Sequence, residues 1–124
     1  MYTVYRIENP DTGIGLWYRA DGVQVDFIRT LDGAKCADLP MGYDPTLVGG
    51  WLSGTDTMAA MADWLHHSDG VQLEAAGHAL WEMTVSEFRM TSEPYVHAVF
   101  RREHVLAARR LPFDALGLPV LERA

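Results

Sequence analysis

The sequence predicts an α+β fold, a mostly antiparallel sheet with two or three helices packed on one side. Three observations carry this. Alternating, β-rich segments open the chain and recur near its end, an apolar stripe at helical spacing sits between them, and 124 residues suffice for one domain spanning 1–124. About half of the residues are apolar, with four Trp, five Tyr and four Phe, which supports a packed core.

Tyr2 to Glu8 alternates as a strand, and Asn9-Pro10-Asp11-Thr12-Gly13 is turn chemistry. Leu16–Arg19 and Val23–Ile28, separated by Ala20-Asp21-Gly22, read as the second and third strands of an antiparallel meander. Residues 30–54 hold Gly33, Pro40, Gly42, Pro45, Gly49, Gly50 and Gly54, too much punctuation for regular elements. They form either a functional loop or an ordered surface wrap anchored by Leu39, Met41, Tyr43, Leu47 and Trp51.

A helix follows, capped by Thr55 or Ser53, with Asp56 in its first turn and Met58, Met61, Ala62 and Leu65 as its buried stripe. Asp56, Asp63 and His67 fall on the opposite face. His67-Ser68-Asp69-Gly70 breaks it, and a short helix over 71–76 ends at Gly77. Ala79–Val85 and Tyr95–Phe100 read as strands, and Arg102–Arg110 as a helix ending before Pro112.

No motif names a reaction. His66 and His67 diverge on a helix, and no i, i+4 pair of histidines supplies two metal ligands on one face. Cys36 beside Lys35 lacks a catalytic signature, and a single cysteine excludes an internal disulfide, as suits a reducing cytosol. Gly13-Ile14-Gly15 lacks the third glycine and the following helix of a phosphate loop. No cofactor motif is present. No run reaches the ~20 apolar residues of a membrane span, and no signal peptide is visible.

Charge is the informative feature. From Cys36 to Phe88, 53 residues contain no Lys or Arg and eight carboxylates. Residues 1–78 hold 11 acids and 4 bases, and residues 79–124 hold six of each, so the whole formal charge of −7 lies in the first part. Such a field disfavours direct nucleic-acid binding and steers cationic partners. An ordinary solvated face accounts for acids too, but such faces usually mix both signs. The candidate partner-binding residues are Asp38, Asp44, Asp56, Asp63, Asp69 and Glu74, with Tyr43 and Trp51 as apolar anchors if the loop exposes them. Asp56 and Asp63 stand two turns apart, roughly 10 Å, a spacing that can imitate a phosphate track.

The opening Val4-Tyr5-Arg6-Ile7-Glu8-Asn9-Pro10-Asp11-Thr12-Gly13-Ile14-Gly15, with Met61-Ala62-Asp63-Trp64-Leu65, Leu80-Trp81-Glu82-Met83 and Val96-His97-Ala98-Val99-Phe100-Arg101, resembles in patches a loose group of small phage and prophage proteins. Small acidic phage proteins include inhibitors of host defence, anti-CRISPR proteins among them. The resemblance implies a non-enzymatic DNA mimic that binds a basic host protein or a nucleoprotein complex such as a CRISPR effector. The layout is also faintly similar to an ADP-ribosyltransferase core, with Tyr5-Arg6 on the first strand. That alternative implies an enzyme acting on NAD through Arg6 and a carboxylate such as Glu82, although the late strand carries His97 where catalysis needs a glutamate.

Overall fold

The computed structural model describes residues 1–16, 51–91 and 97–118. In chain order these form β1 (Tyr2–Glu8), β2 (Trp51–Gly54), α1 (Met58–Asp63), α2 (His67–Ala75), β3 (Ala79–Val85), β4 (Arg89–Met90), β5 (Ala98–Arg101) and β6 (Val105–Leu111). Short 3-10 turns occupy Arg102–His104 and Phe113–Leu116. The fold is mixed α+β and dominated by strands, in two antiparallel three-stranded sheets of order β1-β3-β6 and β2-β5-β4.

β1 pairs with β3 along its whole length, from Tyr2 opposite Val85 to Glu8 opposite Ala79. The expected meander partners lie almost wholly outside the described residues. Because side chains alternate across a sheet, this register puts Val4, Arg6, Glu8, Trp81, Met83 and Val85 on one face and Tyr5, Ile7, Leu80 and Glu82 on the other. Each face has its own core. Ile7 and Leu80 join Leu16, Met61, Trp64, Leu65, Leu73 and Leu116, while Val4, Met83 and Val85 join Leu52, Ala98 and Phe100. The first cluster ties the sheet to the helices and the second ties it to the other sheet. The two sheets also meet edge to edge, since Tyr5 N donates to Thr55 O at 2.7 Å and Thr55 N to Tyr5 O at 2.8 Å. Gly54 permits this approach, because a Cβ there would collide with the Tyr5 carbonyl oxygen.

The expected apolar stripe is present in α1 and the turn after it: Met61 and Leu65 are buried, and Met58 and Ala62 pack against them. The cap is Thr57, whose Oγ1 accepts from Ala60 N at 3.1 Å, and not Thr55 or Ser53; Asp56 precedes the helix. The predicted break at 67–70 is instead the first turn of α2. Asp69 Oδ2 accepts from His66 N at 2.9 Å, which satisfies a donor that a helix start leaves open. At the other end Gly77, at φ 85°, closes the helix as expected, with Gly77 N on Glu74 O and His78 N on Leu73 O.

The predicted helix over 102–110 is not formed. One 3-10 turn leads into β6, which pairs with β3 from Leu111 opposite Leu80 to Val105 opposite Val85. The register shifts between Thr84 and Val85, leaving Leu106 without an opposite residue on β3 and largely exposed. Val105–Leu111 is rich in good helix formers, so hydrogen bonding to β3 has overridden local preference.

Candidate functional site

The alternation of β1 aims two opposite charges inward. Arg6 and Glu8 share a face with Val4 and are 3% and 5% exposed. Arg6 Nε donates to Glu8 Oε2 at 2.9 Å, Nη1 to Ser53 O at 2.8 Å and Nη2 to Gly13 O at 3.2 Å. Arg102 reaches the same carboxylate from the other side of the chain fold, with Nη1 on Oε1 at 2.9 Å and Nη2 on Oε2 at 2.6 Å. Glu8 thus sits between two guanidiniums, one buried and one half exposed. Burial alone raises the Glu8 carboxyl; the Arg102 hydrogen bonds and the Arg6 charge outweigh that and hold it below its ordinary range. Burial pulls Arg6 down from its usual value against the opposing charge of Glu8. Arg102 is raised by its bonds to Glu8.

The Gly-x-Gly turn belongs to this node. The Asn9 side chain accepts from Asp11 N and Thr12 N, folding the turn back, and Gly13 adopts φ 69°. A Cβ on Gly15 would lie 2.7 Å from Arg6 Nη2. The glycines therefore let backbone close over arginine, which is a packing role and leaves no phosphate cradle.

Near this node Ser53 Oγ contacts His97 Nδ1 at 2.9 Å. His97 is 5% exposed, and burial pushes its imidazole down to about 4. The neutral ring and the hydroxyl resemble a nucleophile–base pair, but His97 Nε2 is buried without a partner among the described residues, so none of them orients the base as a third group. Among the described residues no three His, Cys, Asp or Glu side chains gather as a metal site.

No family model matches this chain, and neither a curated protein nor a solved structure matches it.

The sequence-derived site residues that the structure describes stand in different settings. Asp56, Asp63 and Glu74 are exposed, around α1 and on α2. Asp69 is fully buried, turned inward by its capping bond, so it presents nothing to a partner. Asp38, Asp44 and Tyr43 lie outside the described residues. Trp51 is half buried; Arg89 and Arg101 stand over its ring at 5.0 and 4.8 Å, and His104 meets it edge-on. It is a platform for arginines rather than a bare apolar anchor.

Two further carboxylates of the cation-free stretch have partners. Glu82 accepts from Arg109 at 3.1 Å, and Glu87 meets His104 Nε2 at 2.8 Å. The transferase-like pairing of Arg6 with Glu82 is not made. Glu82 stands opposite Tyr5 in the ladder and shares its face, so the Arg6 and Glu82 side chains leave the sheet on opposite faces. The arginine node itself was missed in the sequence, although Arg6 and Glu8 at i, i+2 of an alternating strand signal a shared face.

Proposed function

We propose that this chain is a non-enzymatic binding protein whose helical segment docks on a cationic partner, and that the partner is a host nucleic-acid-handling complex of the kind bound by anti-CRISPR and other phage inhibitors. One observation carries the reading. Every arginine among the described residues lies on a strand or on the turn after β5: Arg6, Arg89, Arg101, Arg102, Arg109 and Arg110. The segment from Thr55 to His78, with both α-helices, holds Asp56, Asp63, Asp69 and Glu74 and no Lys or Arg. Charge is thus sorted by element, and only Asp69 of these acids is buried. In this reading both helices pack on one side of the sheet and present Asp56, Asp63 and Glu74 together. The place of action is a reducing bacterial cytosol; no helix among the described residues is long and apolar enough to cross a membrane.

The test is capture from a bacterial host lysate with the wild-type chain and with the Asp56→Lys/Asp63→Lys variant. Retention of a nucleic-acid-binding complex by the first and its loss by the second supports the reading. Equal capture by both removes the electrostatic mechanism. Titration with NAD should give no heat, since Arg6 is committed to Glu8 and faces away from Glu82.

A further inference from the structure

The unexplained charges of this molecule are positive. Arg101 lies directly across from Trp51 in the β2–β5 ladder, and Arg89 lies across from Val99 on β4. Alternation puts Trp51, Arg101 and Arg89 on one face of the second sheet. Both guanidiniums stand over the same indole, so their carbons lie within about 10 Å of each other, close to the screening length at physiological salt. Neither has a carboxylate partner or a hydrogen-bond acceptor among the described residues, in a chain of net charge −7. The nearby acid Glu87 is engaged by His104. The Trp51 indole Nε1, sealed from solvent, also has no hydrogen-bond partner among the described residues. Two guanidiniums therefore gather with no oxygen among the described residues to receive them, and they repel each other.

We propose that the Arg89–Trp51–Arg101 face is a binding site for a phosphate group. Contact with the ring restrains each guanidinium while its N–H groups have no acceptor among the described residues, which lowers the ordering cost of a bidentate contact. A carboxylate would neutralise only one arginine. A phosphate monoester, with a charge of about −2 and three acceptor oxygens, matches both. His104 keeps the geometry fixed: its Nδ1 accepts from Arg101 N at 3.2 Å, so its proton is on Nε2, toward Glu87, and its ring abuts Trp51. This site is separate from the acidic helical segment and does not depend on its partner.

The test follows the Trp51 indole N–H resonance, identified by its absence in Trp51→Phe, at pH 7.5. Inorganic phosphate, O-phosphoserine and adenosine 5′-monophosphate are titrated separately against chloride at matched ionic strength. A saturable shift with a roughly millimolar Kd is expected, weakened about tenfold in Arg89→Gln and again in Arg101→Gln. Arg109→Gln, which removes an exposed arginine already paired with Glu82, should titrate as the wild type. Saturation by any of the three probes supports the site, and their ranking tells a free anion from a phosphorylated residue or a nucleotide. No saturation of the wild type by any of them, or shifts unchanged in the double Arg→Gln variant, overturns it.

Discussion

With Glu8 held between Arg6 and Arg102, its removal and theirs have unequal consequences. Glu8→Gln leaves a buried guanidinium without its counter-charge and should cost about 3–5 kcal/mol in urea unfolding. Arg102→Ala removes a half-exposed partner while Arg6 remains, and about 1 kcal/mol or less is expected. Acid acts on the same node. Glu8 titrates below its ordinary value when folded, so its contribution is full above about 4.5 and is lost as pH falls through the folded value. His97 acts earlier. The unfolded imidazole takes a proton near 6.5 and the folded one only near 4, so stability should fall as pH drops across that window, by on the order of 3 kcal/mol. Chemical unfolding at pH 7.5, 5.5 and 4.5 checks this, and a flat profile between the first two refutes the His97 assignment. Half of the node was legible in the sequence, as Arg6 and Glu8 on one face of a strand. The other half was not, because Arg102 joins from 94 residues away.

The elements differ in how openly the sequence declares them. α1 was readable because Met58, Met61, Ala62 and Leu65 repeat at the helical period. The start of α2 was hidden, since Ser68-Asp69-Gly70 looks like a breaker until Asp69 is seen to close on the His66 amide. β6 misled outright: Leu106, Ala107, Ala108, Arg109 and Arg110 are good helix formers held extended by their neighbour. Ala107→Val separates the two states. A β-branched residue there should raise stability by a few tenths of a kcal/mol in a strand and lower it in a helix. The Asn9–Gly15 turn can be probed in the same way. Gly15→Ala pushes a methyl against the Arg6 guanidinium, and a loss of about 1–3 kcal/mol in thermal or urea unfolding is expected.

Across the whole molecule, what the sequence displays as one long acidic stretch is divided by folding. Asp69 goes inside, Glu82 and Glu87 find Arg109 and His104, and Asp56, Asp63 and Glu74 are exposed. The sign of the stretch was readable; which acids survive at the surface was not, because pairing and capping depend on residues distant in the chain. If the surviving acids guide docking, Asp56→Lys/Asp63→Lys should slow association with the captured complex, with a larger effect at low salt than at high. Stopped-flow rates at two salt concentrations decide this, and equal slowing at both would point to a lost contact instead of a lost field.

The ladder between β1 and β3 also bears on biosynthesis. Tyr2–Glu8 is synthesised before the strand it must pair with, and the 70 residues from Asn9 to His78 are made in between. Throughout that wait an adhesive, β-prone peptide hangs unmated. Arg6 and Glu8, side by side along it, keep it hydrated and discourage it from sticking to other nascent chains. The charges that end up in the interior would then have served first as a solubiliser.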